Sequence, residues 1–259
     1  MSAVSDRLRS TTVAVFAVAQ VLSAPLTSLG LGPSSDQGPI SDANLSPVTP
    51  AGYAFAIWGL IYLASLALAA YQVLPSQQAR QVHRVTGWWL AGAFAASTVW
   101  VPIFGSQTIW LSQLVIITLV VCLAMATHRF TQLGAAETAA ERYLFRMPVT
   151  TYLGWATLAC FAGFGTTFRS LGMPAEARWV NEISVVLVLS ATIMSLFVVG
   201  RLAAVMGFVL TGCWALVAVA IGTYVDSVRL AAILAITVVV AVVIGRTLRS
   251  SERDVVLFG

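Results

Sequence analysis

The sequence predicts an all-α integral membrane protein of eight transmembrane helices, with both chain ends in the cytoplasm. Three observations carry that prediction. Of the 259 residues, 59% are hydrophobic and only 9% charged, which is more apolar surface than a water-soluble domain can hide. The apolar residues gather into eight runs, near 11–30, 50–74, 86–104, 107–127, 146–168, 180–200, 203–224 and 228–246. Each meets or approaches the ~20 residues needed to cross ~30 Å of hydrocarbon. Finally, all 14 basic residues are arginines, and they divide unevenly. With the N-terminus inside, the inner segments hold Arg7, Arg9, Arg80, Arg84, Arg129, Arg142, Arg146, Arg201, Arg246, Arg249 and Arg253, and the outer segments only Arg169, Arg178 and Arg229. That is the bias of positive-inside topology, and an odd number of spans would scramble it. The net charge of +4 therefore reads as orientation and gives no sign of a nucleic-acid partner.

The elements follow in order. The first run comes after Arg7 and Arg9 and ends in "VLSAPLTS". A signal peptide can look like this, but the length of the run and the arginine parity favour a span. Next comes the longest polar stretch, 31–50, "LGPSSDQGPISDANLSPVTP". Pro33, Pro39, Pro47 and Pro50 forbid a continuous helix there, and Asp36 and Asp42 are its only charges. It is either a solvated connector or a lid over the outer end of the bundle. The second run opens "PAGYAFAIWGLIY", with Pro50 at a position where a first helical turn tolerates proline. The third ends in "STVWVPIFG", where Pro102 should bend or stop the helix. The inner segment 128–146, with Glu137 and Glu141 one turn apart, reads as a short amphipathic helix with a solvated face. The fifth run contains "MPVTTYLGWATLA". In the last three runs, Arg178 with Glu182 and Asp226 with Arg229 read as surface pairs. Cys122, Cys160 and Cys213 lie inside apolar runs in no metal-like or redox spacing and read as buried packing residues.

Acids, bases and histidines inside a span usually have a function, because burying them is costly. Here the middle of every run lacks them, and His83 and His128 sit at the cytoplasmic edge. No metal site or hydrolytic motif is present, which favours a binding protein over an enzyme. What the chain has in abundance is aromatic residues. Trp88, Trp89, Trp110 and Trp179 fall where interfacial belts sit. Trp58, Trp100 and Trp155 lie deeper. Trp58 and Tyr62 are spaced i,i+4, and Tyr152 and Trp155 i,i+3, so each pair shares a helix face. By the arginine topology all three clusters lie toward the outer half, beneath 31–50. They read either as helix packing or as the walls of a cavity for a flat apolar ligand.

Taken together, these motifs resemble the TspO/MBR family, the tryptophan-rich sensory proteins related to the mitochondrial translocator protein. Pro50, Trp58 and Tyr62 are similar to the opening of that family's second helix. "WVPIFG", supplying Trp100, Pro102 and Phe104, is similar to its third-helix signature, and Pro148 with "YLGW", Tyr152 to Trp155, to its fifth. "SAPLTS" resembles the end of its first helix. The resemblance covers about 11–170. Tyr53 and Phe55 stand one position off the usual aromatics, Ser97 replaces an asparagine, and "FAGFGTTF" lacks another. The resemblance implies a five-helix transmembrane bundle over 1–170 with the outer loop 31–50, and leaves 171–259 as three further spans and a short cytoplasmic tail.

It further implies a ligand site built from Trp58, Tyr62, Trp100, Pro102, Phe104, Tyr152 and Trp155, with Tyr53 and Phe55 nearest the surface. The implied ligands are a porphyrin, haem, or a sterol or isoprenoid-like lipid, and Arg169 or Arg178 at the outer rim would meet porphyrin propionates. The implied roles are sensing or transport in a bacterial cytoplasmic membrane, among membrane lipids. A homodimer is also implied, for which Gly87, Ala91 and Ala95 offer a row of small residues. Two other readings stay open: an integral membrane enzyme of isoprenoid or lipid metabolism, whose aromatic cage would stabilise a cation, and an assembly partner of another membrane protein.

Overall fold

A computed structural model describes residues 3–28, 40–41, 43–174 and 177–259. Among them are eight long helices and no strand: α1 Ala3–Ser28, α2 Ile57–Gln72, α3 Gln81–Gly105, α4 Ile109–Thr131, α5 Met147–Ser170, α6 Arg178–Arg201, α7 Val205–Gly222 and α8 Asp226–Arg249. A five-residue 3-10 helix, Gly52–Ala56, leads directly into α2. The first helix begins at Ala3, so Arg7 and Arg9 lie within it and not ahead of it. Pro102 sits inside α3, which stops three residues later at Gly105. The turns α3–α4 and α6–α7 are very short, and each places one non-glycine residue in the left-handed region, Gln107 (φ 59°) and Ala204 (φ 57°). That conformation is uncommon for such residues, and the Ala204 N–H is held by the Val255 carbonyl.

Seven of these helices are long and apolar enough to cross a membrane; the α2 crossing includes the 3-10 turn. The expectation of eight crossings therefore rests on α5, which is 24 residues long but less apolar. The reason is its position. Protein surrounds it, and Thr150, Thr157, Thr166 and Thr167 are buried along it, with Thr157 and Thr167 bonding carbonyls one turn back. A helix packed on several sides by other helices needs less lipid-soluble surface than one facing lipid.

Hydrogen bonds define the two ends of the bundle. At one end Arg84 pairs with Asp6 of α1, Arg80 with Glu137 and Glu141, Arg142 donates to the Gly259 carbonyl, and Arg246 to the Leu202 carbonyl. This is the arginine-rich end. At the other end Arg169 donates to the Leu45 carbonyl, the Ala51 N–H to the Ala218 carbonyl, and Arg229 to the Thr223 carbonyl. Of the small-residue row on α3, Gly87 is covered by the Arg9 side chain and Ala91 is buried, while Ala95 is half-buried.

Glycines let α5 and α7 cross closely. A Cβ on Gly207 would lie 2.8 Å from the Met147 carbonyl oxygen, and one on Gly154 would lie 2.8 Å from the Phe208 Cα. Glycine on both partners lets the two backbones approach, and the Thr211 hydroxyl bonds the Thr151 carbonyl across the crossing at 2.8 Å.

The segment 128–146 departs from the amphipathic expectation. α4 continues to Thr131, Gly134 turns the chain with φ 81°, and Ala139–Glu141 begins a helix that runs through one π turn, Arg142–Arg146, into α5. The Thr138 side chain caps that start by accepting from the Glu141 N–H. Glu141 faces inward: it is 1% exposed, as is Arg146. Arg146 donates to its carboxylate at 2.6 Å and to the Gly134 carbonyl, and lies over the Phe130 ring. The i,i+4 spacing of Glu137 and Glu141 suggested a shared solvated face, but the helix begins only at Ala139, after the Thr138 cap, so Glu137 lies ahead of it and stays exposed. Burial would lower the pKa of Arg80, but Glu137 and Glu141 outweigh it and hold the pKa above its usual value. His83, expected at the membrane edge, is buried between Tyr71 and Phe145.

Candidate functional site

The aromatic cluster assembles where α2, α3 and α5 meet. Trp58 is its hub. Its ring lies 5.6 Å from Trp100 of α3 at an interplanar angle of 30°, and 5.4 Å from Tyr62 one turn along its own helix. It meets Trp155 and Tyr152 of α5 edge-on at 6.0 and 5.9 Å. Trp100 stacks on Phe104, one turn on, at 5.0 Å, and Phe55 meets Trp155 edge-on. Such offset and edge-to-face pairs are the geometries that aromatic quadrupoles favour.

Five of the predicted residues, Phe55, Trp58, Trp100, Phe104 and Trp155, line one cavity of about 50 Å³. Pro50 and Ser41 close its outer side, which joins the described part of 31–50 to the site. Residues 31–39 and 42, with Asp36 and Asp42, fall outside the described residues. The rest of the predicted set does not reach the cavity. Tyr152 stands behind Trp58, with its hydroxyl 2.7 Å from Ser97 Oγ and 3.3 Å from Gln20 Oε1. Ser97, where the resemblance calls for an asparagine, thus serves as a partner for this tyrosine. Tyr62 packs on Trp58, and its hydroxyl is buried without a partner among the described residues. Pro102 shapes the end of α3.

Tyr53 points away. It is 44% exposed and meets Trp214 of α7 edge-on, while the Trp214 indole N–H bonds the Ala54 carbonyl. The cause is the spacing. Two residues apart on a helical turn do not share a face, so Tyr53 and Phe55 diverge, one toward α7 and the other toward the cavity. Arg169 is committed to backbone, donating to the carbonyls of Leu45 and Met173. Arg178 is exposed at the first position of α6. Neither lines the cavity, and neither does a histidine, so an iron bound there would find no imidazole in this arrangement.

Sequence reasoning missed the polar floor. Ser112 and Gln113 of α4 and Thr166 of α5 also line the cavity. Gln113 donates to the Cys160 carbonyl at 3.0 Å, and its Oε1 sits against Gly163, where any side chain would collide with it. A lone glutamine in "IWLSQLVIITLV" was the available signal, but a search confined to charged residues and histidine passes over it.

The cavity also has an unbalanced polar inventory. The indole N–H groups of Trp58 and Trp155 are buried, and neither has a hydrogen-bond partner among the described residues. A buried donor left unpaired costs about 1–3 kcal/mol. Among the described residues no group of three or more His, Cys, Asp or Glu could hold a metal ion. A family model described as TSPO-like protein matches residues 10–245, a span that extends past the first five long helices into α8. No curated protein and no solved structure matches the chain.

Proposed function

The chain belongs to the TSPO-like protein family, and from that premise we propose that it is a membrane binding protein which holds a flat, mainly apolar ligand in the aromatic cavity, in a sensing or transport role. The ligand class is a tetrapyrrole or a sterol or isoprenoid-like lipid. The observation that carries this reading is the pair of unpartnered indole donors, Trp58 and Trp155, on the walls of one cavity. Aromatic packing alone would leave them as a pure cost. A ligand with carbonyl or carboxylate acceptors on a planar body would satisfy both, while its faces meet Trp100 and Phe104. Gln113, Ser112 and Thr166 would orient its polar edge.

The cavity is far smaller than the ~300–1,000 Å³ of sites that take drug-sized ligands. Binding therefore includes opening, and the element best suited to move is 43–56. Its 3-10 turn has poorer hydrogen-bond geometry than an α-helix, and moving it means releasing three bonds, from Arg169 to the Leu45 carbonyl, from the Ala51 N–H to Ala218 and from the Trp214 indole to Ala54. Phe55, which it carries, would swing with it and widen the space beside Trp155.

The test is titration of the purified protein with protoporphyrin IX and, separately, with a sterol, following tryptophan quenching. Saturable binding to at least one probe, lost when Trp58 and Trp155 are both replaced by Leu, is the expected result. Binding that survives replacement of Trp58, Trp100 and Trp155 together would move the ligand elsewhere and overturn the assignment.

A further inference from the structure

A second site lies on the opposite side of the fold, along the seam between α6 and α8. Gly200 and Gly245 face open space, with no atom within 4 Å of where a Cβ would stand. Between them runs an open groove of about 720 Å³. Its apolar wall is Val238, Ala241 and Val242, and the two valines are 42% and 38% exposed. Its foot, at the arginine-rich end of the bundle, is Arg246 and Arg249. Arg246 is held in place by the carbonyls of Val199 and Leu202, which orient the guanidinium but leave its charge uncompensated. Arg249 is exposed, and no carboxylate pairs with either arginine among the described residues.

We infer that this groove binds an anionic phospholipid from the leaflet at the arginine-rich end, with an acyl chain along Val238 to Gly245 and the phosphate between Arg246 and Arg249. Length supports this. The eleven helical steps from Val238 to Arg249 rise about 16 Å, close to half of a ~30 Å hydrocarbon core and so to the depth of one leaflet. Charge supports it too: an apolar channel ending in two unpaired guanidiniums is complementary to an amphiphile with a negative head. The same α6–α8 seam continues toward the other end as a groove of about 310 Å³ lined by Val185, Leu189, Leu230 and Leu234, and there no charged residue lines it. The anionic preference belongs to one end of one seam. A second copy of the chain is a poorer occupant, because a two-fold contact through this face would set Arg246 and Arg249 against their own copies.

The experiment uses the full chain, delipidated in neutral detergent, with native mass spectrometry reading bound lipid. The probes are phosphatidylglycerol and phosphatidylcholine with identical acyl chains. Phosphatidylglycerol should bind several-fold more tightly. Arg249→Gln should reduce that preference about fivefold, the factor expected for one arginine near a charged headgroup. Gly245→Leu, which fills open space, should lower the binding of both lipids. Arg129→Gln, at the same end but off the groove, should change neither. Equal binding of the two lipids, or indifference to both groove variants, would overturn the site. So would displacement of phosphatidylglycerol by millimolar inorganic phosphate, which would make it a free-anion site. A dimer mass lost in Gly245→Leu without change in bound lipid would assign the face to a second copy instead.

Discussion

The two ends of the bundle treat buried polarity in opposite ways. At the arginine-rich end the chain buries full charges and gives them partners: Glu141 receives both Arg146 and Arg80, and Asp6 receives both Arg9 and Arg84. At the aromatic end it buries only neutral groups, and leaves two indole donors and a tyrosine hydroxyl without partners. At the charged end the carboxylates are matched within the chain and read as architecture; the buried groups left without a partner there among the described residues, the Gln72 amide, the His83 ring nitrogens and the Arg9 Nε, are not among those lining the aromatic cavity. The aromatic end is incomplete, and incompleteness in a lined cavity is what a binding site looks like before it is filled. Strength of interaction is thus a poor guide to function here, since the strongest groups are spent on one another.

The sharpest way to break that contrast is to unpair the charged end. Glu141→Ala leaves Arg146 buried without its carboxylate, and losing one member of a buried pair costs about 3–5 kcal/mol. Thermal unfolding in detergent should show this as the largest loss, with ligand affinity unchanged in whatever folds. The α5–α7 crossing comes next. Gly207→Ala pushes a methyl against the Met147 carbonyl and should cost about 1–3 kcal/mol by overpacking; a smaller loss would mean the two helices can part. Trp155→Phe tests the incomplete end directly. Relief of the unpartnered donor opposes the packing lost with the smaller ring, so ligand-free stability should change by no more than about 1–2 kcal/mol, while ligand affinity falls by about 1 kcal/mol. A large loss of stability without ligand would show that this indole is architecture after all. The smallest effect is expected for Ser97→Ala. Tyr152 keeps Gln20 as an alternative acceptor, so unfolding should shift by no more than about 1 kcal/mol.

Much of this was legible in the sequence. Apolar runs and the arginine bias gave the helical membrane class, and helical spacing put Trp58 with Tyr62 and Tyr152 with Trp155 on shared faces. The convergence of Trp58, Trp100 and Trp155 on one cavity also follows from their common depth. What was not legible depends on rotation and on distant chain. Tyr53 goes to Trp214 and Phe55 to the cavity; their i,i+2 spacing says that they part, but not that α7 lies on one side. Glu141 is likewise turned inward by a distant partner, Arg80, together with Arg146. Gln113 escaped notice because a neutral amide disturbs hydropathy too little. Nor does hydropathy reveal that α7 supports the start of α2, because the glycines and threonines of the α5–α7 crossing resemble those of any membrane helix.

That last contact bears on how the protein is made. The Trp214 indole reaches the Ala54 carbonyl across 160 residues of chain, and Ala218 supplies the acceptor for the Ala51 N–H. Every cavity-lining side chain leaves the ribosome before α7 does. At about 5–20 residues per second, the segment 43–56 waits roughly 10–30 s in the membrane before the helix that anchors it is synthesised. The aromatic walls are complete only once Thr166 of α5 has been made, about 50 residues before Trp214, so for the last few seconds of that interval they stand under an unfastened cover. The nascent chain passes through a stage in which its pocket is more accessible than it will be in the finished protein.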